Sequence, residues 1–474
     1  MERSEEQRID VRGATPPDPP LQRGRHGESS PLPKGGEGGF LAPTSAIAED
    51  GVHASAATAR RGRAHFQTFS SLRHRDFFWL WLSNLFNASA NWFQQFTVPW
   101  VVWDISHSPL WVAVAVGTRS FPFLFIGPFA GVFADRIDRR KLVLVVQSAL
   151  AVVVFGFAVA VQRGYIVGNK GVIYVTVFSF ITGVLHSLIQ PMRQAMVANT
   201  VPRKDLGNAI ALNSVAGNVA RVVGPPLGGF LYAVLSPSAN FFIQSGLFIL
   251  MVLMVVPIRL PYREEMTARR ASVTANLKQG FRYVASERVI LHLLLLSFVS
   301  AIFAAPIIQI MPVITAKVLG EGPKVGGFLF LMMGIGGITG TFCFASMGGT
   351  FGRGGVGMIA LILLSCSIIA LGISGWLLVA LAAMFCMGFS RIAFQINNNT
   401  LLQSTIPDGL RGRVMALYHL DHGFTPLAII GVGAMAELLP TRLVVELVGG
   451  TSLALAVFAF VAFRDVRRMK EGQV

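Results

Sequence analysis

The stretch Gly183-Val-Leu-His186-Ser-Leu-Ile-Gln190-Pro-Met-Arg193, then Thr200-Val-Pro202-Arg-Lys-Asp205, Leu206-Gly-Asn-Ala-Ile-Ala-Leu-Asn213 and Arg221-Val-Val-Gly224-Pro225-Pro226-Leu-Gly228-Gly229, decides the fold. It reads as the end of one apolar helix, a short polar loop and the start of the next. A shift of 205 positions brings the pattern back: Gly388, Gln395, Thr405, Pro407, Gly412, Ala416 and Leu417 fall on Gly183, Gln190, Thr200, Pro202, Gly207, Ala211 and Leu212. A period of that length is far beyond a solenoid unit. It fits two fused copies of a multi-helix bundle with a site between them.

Outward from this stretch the chain is 53% hydrophobic and 14% charged, with a mean hydropathy of +0.58. Soluble domains carry about 25% charged residues, so most of the chain is expected inside a membrane. The net charge of +16 does not signal nucleic acid, because Lys and Arg sit in tails and between apolar runs. There they hold loops against anionic lipid. Cys343, Cys366 and Cys386 all lie in apolar segments, without metal-ligand spacing.

Twelve apolar runs are long enough to cross about 30 Å of hydrocarbon: 77–103, 108–134, 142–162, 171–192, 206–234, 240–260, 288–315, 324–347, 356–374, 376–402, 412–438 and 442–463. Basic residues cluster in alternate loops, at Arg136 to Lys141, Arg203 and Lys204, Arg263 to Arg282, Arg353, and Arg411 and Arg413. By the positive-inside rule these loops and both termini face the cytoplasm. Residues 1–70, with Pro16-Pro17-Asp18-Pro19-Pro20 and a glycine-rich run, read as a disordered tail without a signal peptide. The expected domains are a first six-helix bundle over 71–260, a linker over 261–287 with a short amphipathic helix from Ala275 to Arg288, a second bundle over 288–465, and a tail over 466–474.

Gly131-Val-Phe-Ala-Asp135-Arg136-Ile-Asp138-Arg139-Arg140-Lys141 closes the second run. An acid at this re-entry point can face the positive end of a neighbouring helix in one conformation and leave it in another. A plain basic loop that fixes topology is the competing reading. The residues resemble the signature of the major facilitator superfamily, Gly-x-x-x-Asp-Arg-x-Gly-Arg-Arg/Lys, with Gly131, Asp135, Arg136, Arg139 and Arg140 in place and Asp138 where the family prefers glycine. The segment Pro191–Gly229 and Arg411-Gly412-Arg413-Val414-Met415-Ala416-Leu417-Tyr418 resemble its bacterial branch of enterobactin and macrolide exporters, over residues 70–465. Gly224, Pro225 and Gly228 resemble the core of the fifth-helix antiport motif, with Ala211 and Ala220 at its upstream glycine positions.

Helical periodicity picks out polar stripes independently. Asn84, Asn87, Asn91 and Gln95 share one face of the first run; Ser179, Thr182, His186, Gln190 and Arg193 share one in the fourth; Arg391, Gln395 and Asn398 share one in the tenth. Polar groups avoid lipid, so these faces meet protein or a water-filled cavity. Helix-to-helix hydrogen bonding without a cargo is the competing reading. The resemblance implies that runs 1, 4, 7 and 10 line a central pathway. The seventh offers Ser297, Ser300 and Gln309, and Trp92, Phe96, Phe303 and Phe394 lie near enough in sequence to suit a partly aromatic, amphipathic cargo.

Intramembrane charges are Arg119, Arg221, Arg391 and Asp421. Arg221 and Arg119 read as structural. Asp421 reads either as a proton-coupling group or as half of an ion pair, with Arg119 the nearest candidate. The resemblance implies an all-α membrane protein, twelve transmembrane helices in two pseudo-symmetric six-helix bundles. Its function would be export of a drug, siderophore or similar small molecule across the bacterial inner membrane by proton antiport, as a monomer. A lysophospholipid flippase-like carrier of the same superfamily is the alternative. No cofactor, metal cluster, Walker loop or catalytic constellation is expected.

Overall fold

The computed structural model describes residues 69–136, 138–259, 273–346, 353–418 and 421–469. Residues Phe66–Val474 form one compact unit, and residues 1–68 lie outside the described residues. The described chain is helical: α1 (Arg75–Ser106), α2 (Pro109–Arg136), α3 (Arg139–Gln162), α4 (Gly168–Thr200), α5 (Leu206–Val234), α6 (Pro237–Val255), α7 (Val273–Ser286), α8 (Arg288–Gln309), α9 (Met311–Val318), α10 (Pro323–Ser346), α11 (Arg353–Ile373), α12 (Leu377–Thr405), α13 (Asp408–Tyr418), α14 (Asp421–Leu438), α15 (Thr441–Ala462) and the short α16 (Arg464–Arg467).

Local chemistry sets the ends. His107 takes a left-handed turn after α1 (φ 48°), and Pro109 opens α2 at the position where its missing N–H costs nothing. Asp138 stands before α3 and its carboxylate accepts from the backbone N–H of Arg140 and Lys141, at 2.9 and 3.2 Å. An N-cap requirement therefore explains an aspartate where the family signature has glycine.

The helix pairings give the architecture, because the principal pairings in the first half return in the second. Helices α2 and α4 pack together as α10 and α12 do; α1 and α5 as α8 and α14; α3 and α6 as α11 and α15; α3 and α4 as α11 and α12. Contacts between the halves obey the same exchange, since α2 packs on α14 and α5 packs on α10. This is the two-bundle major facilitator arrangement.

Among the described residues, eight helices are long and apolar enough by length and composition to cross a membrane: α3, α4, α6, α8, α10, α11, α12 and α15. These eight fall within the twelve expected runs and do not confirm the full count. Helix α1 carries the Asn84–Gln95 stripe, and α5 carries Asn208, Asn213, Asn218 and Arg221, so both are more polar. The run expected over 288–315 is broken at Ile310, between α8 and α9. Helix α4 continues to Thr200 through Pro191, about two turns past its expected end. The expected break at Ser374-Gly375 falls between α11 and α12.

Two segments read as loose are partly docked. In the expected tail 466–474, Val466 is buried and the Met469 carbonyl accepts from the Gly354 N–H at 3.4 Å. In the linker, α7 packs against α13.

Candidate functional site

The site begins with a close helix crossing. Helix α4 carries Gly183, where a Cβ would stand 2.1 Å from the carbonyl oxygen of Arg119 on α2. Only glycine admits that approach. It brings the Arg119 side chain beside His186, one turn further along α4, and opposite α1. There a guanidinium nitrogen of Arg119 donates to the side-chain oxygen of Asn91.

Around this pair lies a cavity of about 190 Å³, lined by Asn87, Asn91 and Gln95 of α1, Arg119, Ser120 and Phe123 of α2, His186 and Gln190 of α4, and Gln309 of α8. Phe123 is the one apolar side chain among them. The lining thus comes from three helices of the first half and one of the second. Several of its polar atoms are buried without a hydrogen-bond partner: Asn87 Oδ1, Arg119 Nε and His186 Nε2.

The halves meet tightly at one end of this cavity, the end that carries Trp103. Phe96 and Phe330 make an edge-to-face contact at 6.1 Å, and the ammonium of Lys317 sits 5.6 Å over the Trp103 ring. Glu437, near the last turn of α14, accepts from Ser108 Oγ at 2.7 Å and from the Leu110 N–H at 3.2 Å. It thereby holds the positive N-terminal end of α2 from the opposite half. A buried tyrosine behind this seal, Tyr232, donates to Asp104 at 2.5 Å.

Toward the other end, the Arg139 end, lies a second polar layer. Arg193 of α4, 4% exposed, donates to the oxygen of Asn84. The Asn84 amide nitrogen donates to Asn213 Oδ1 of α5 at 2.5 Å. Two levels of one face of the first run are therefore distinct in role: Asn84 bonds protein, and Asn87, Asn91 and Gln95 line the cavity.

The residues singled out from sequence divide accordingly. Asn87, Asn91, Gln95, His186 and Gln190 line the cavity. Asn84 does not, for the reason given. Thr182 accepts from Gln94 Nε2 at 2.8 Å in a buried contact. Asn398 donates to Ser297 Oγ at 2.6 Å and to the Leu293 carbonyl at 3.3 Å. Gln395 is exposed and Arg391 half-buried, and neither reaches the cavity. Arg119, read as structural, is instead a lining residue. Of the four aromatics read as cargo neighbours none lines it: Trp92 packs against Gly224, Phe96 against Gly228, and Phe394 is buried in the second half.

Arg221 donates to Asn218 on its own helix at 2.9 Å, and Pro225 is buried in α5. In the loop motif, Arg140 donates to the Val256 carbonyl at the end of α6, and Arg139 is partly buried. The side chains at Gly131, Asp135, Arg136 and Asp421 lie outside the described residues.

Sequence reasoning missed Ser120, Phe123 and Glu437. Ser120 follows Arg119 directly, and a second polar residue beside an intramembrane charge was a usable signal. Phe123 lies one turn beyond Arg119 in an otherwise apolar run, so nothing marked it. Glu437 lies in the last turn of α14, at the end of an apolar run where charges are ordinary.

A duplicated bundle with a polar cavity between its halves defines a major facilitator transporter, not an enzyme. Residues 66–473 match the family described as transmembrane secretion effector, and the chain belongs to that family. It is similar to the staphyloferrin A transporter of Staphylococcus aureus (strain NCTC 8325 / PS 47), 22% identical over 81% of this chain and 95% of that one. It is also similar to the multidrug efflux pump Tap of Mycolicibacterium fortuitum, 24% identical over 72% and 84% of the two chains. Among solved structures the nucleoside transporter NupG shares the fold, with a TM-score of 0.69, 13% identity and coverage of 82% and 99%. The chain is a multi-pass membrane transporter of small molecules.

Proposed function

We propose that this transporter exports a small amphipathic molecule from the bacterial cytoplasm across the inner membrane, by alternating access coupled to proton entry. Rocking of residues 71–260 against 288–465 would expose the cavity to each side in turn. One observation carries the reading: a polar cavity contributed by both halves is sealed at the Trp103 end by contacts that cross between them. In this reading the Arg139 end faces the cytoplasm, together with both termini, and the single chain is the working unit. The name of one relative supports export, since it is a multidrug efflux pump. The mainly polar lining favours a compact cargo over a lysophospholipid, whose acyl chain needs an apolar path.

Within this proposal Asp135 is the gate residue and Asp421 the proton carrier. Cells expressing the chain are expected to extrude at least one member of a panel of fluorescent amphipaths of differing charge, and to stop when a protonophore collapses the gradient. Asp135→Asn should abolish extrusion, and Asp421→Asn should leave downhill exchange without uphill extrusion. Extrusion that persists with the protonophore, or in well-expressed Asp421→Asn, overturns proton antiport. Wild-type rates in Asp135→Asn overturn the gate.

A further inference from the structure

We propose that the cargo is an organic anion whose carboxylate, or equivalent oxyanion, docks on the Arg119 guanidinium. This rests on the reading of the α1–α2–α4–α8 cavity as the cargo site. Arg119 is the only charged side chain in the described lining, which contains no aspartate or glutamate. Its described partner is the neutral oxygen of Asn91, and an amide oxygen accepts a hydrogen bond without cancelling the charge. Its Nε is buried with nothing to donate to, and His186 Nε2 beside it is equally unmatched.

Among the described residues around this cavity, none supplies the opposite charge. The next polar layer is headed by another guanidinium, that of Arg193, held by Asn84 and with its Nη1 buried and unmatched. Two buried cations in succession make the potential along this face of α4 positive. Asp421 is the acid nearest in sequence register. Gly117 packs on Pro426 and Ile430, and Gly433 on Ala113 and Pro109, so α2 and α14 run antiparallel. That register places the Asp421 backbone about 8 Å along the helix axis from the level of Arg119.

A guanidinium fork with a free edge suits a planar oxyanion bidentately. The amides of Gln95, Gln190 and Gln309 and the hydroxyl of Ser120 can meet the rest of a polar cargo, while Phe123 offers one aromatic face. A cationic cargo would enter this cavity against Arg119, with no carboxylate there to receive it.

The test reads the cavity's charge preference without knowing the cargo. In the full chain, with Cys343, Cys366 and Cys386 replaced by alanine, Ser120→Cys puts a thiol next to Arg119 in place of a hydroxyl. Its rates are measured with three methanethiosulfonates: anionic sulfonatoethyl, cationic trimethylammonioethyl and neutral methyl. Relative to a free thiol, the anionic reagent should be favoured over the cationic one by at least about tenfold, the scale of a unit charge within one side chain's length at intermediate dielectric. Arg119→Gln should erase the preference while leaving the neutral rate unchanged, and Arg119→Lys should keep most of it. A cationic preference, or an anionic one that survives Arg119→Gln, overturns the proposal while the cavity stands. A thiol inert to all three reagents overturns the cavity reading itself.

Discussion

The two halves meet the same packing problem at one corner each, and fill it with different chemistry. In the first half, Gly183 of α4 lets α2 approach so closely that a Cβ would stand 2.1 Å from the Arg119 carbonyl oxygen. In the second, Gly388 of α12 lets α10 approach until a Cβ would stand 1.9 Å from the Met333 carbonyl oxygen. The side chain at the first crossing is a cation over a polar cavity; at the second it is a buried methionine. The inner helices differ in the same sense. Spaced from Ser297 on α8 as Asn91 and Gln95 are from Asn84 on α1 stand Ala304 and Ile308, both buried. Duplication has kept the backbone contacts, which neither copy can change alone, and released the lining. The wet, charged wall belongs to the first half and the drier wall to the second.

The largest effect is expected where the halves are alike. Gly183→Ala and Gly388→Ala should each force a helix pair apart, lowering stability on the order of 3 kcal/mol, the upper range for overpacking, as read by thermal unfolding in detergent. Similar losses support equivalent crossings; a tolerated Gly388→Ala breaks the symmetry.

A difference should emerge one layer further along. The contact between Arg193 and Asn84 has its counterpart in Asn398 and Ser297, with a charge only in the first. Asn84→Ala strands a buried guanidinium and should cost about 3 kcal/mol. Ser297→Ala removes one neutral acceptor and should cost about 1 kcal/mol. Equal losses in unfolding experiments would mean that Arg193 finds another acceptor and that the halves are less unlike than they look.

The smallest effect concerns the seam between the halves. Glu437→Gln weakens the hold on the first turn of α2, worth about 0.5 kcal/mol at an exposed helix end. The population sealed at the Trp103 end should fall about twofold, read as faster labelling of a cysteine placed at Gln95 by a reagent added on that side. An unchanged rate would assign the seal to the Phe96–Phe330 and Lys317–Trp103 contacts.

Much of the fold was legible because membrane burial writes itself as long apolar runs, and because the repeat of Gly183 in Gly388 survives as a steric demand. The polar stripe of α1 was legible for a similar reason, since Asn87, Asn91 and Gln95 have no apolar purpose. Its partition was not. That Asn84 turns to Arg193 while Asn87 faces the cavity depends on where α4 and α5 cross α1, a long-range fact that spacing along one helix does not contain. The place of Arg119 in the lining was hidden for the same reason: an isolated arginine in an apolar run shows nothing of the glycine on α4 that positions it. The tenth-run stripe shows the converse, with Asn398 committed to Ser297 and Gln395 away from the cavity.

The link from Arg193 through Asn84 to Asn213 has one further consequence. An amide keeps both its hydrogens, and a guanidinium keeps its charge at any pH a cell reaches. Asn84 accepts with its oxygen and donates with its nitrogen, so the row has a fixed direction and no member that can hand a proton on. It acts as electrical insulation along the junction of α1, α4 and α5. In the proposed antiport, protons would therefore cross elsewhere, and the proposed carrier Asp421 stands on α14.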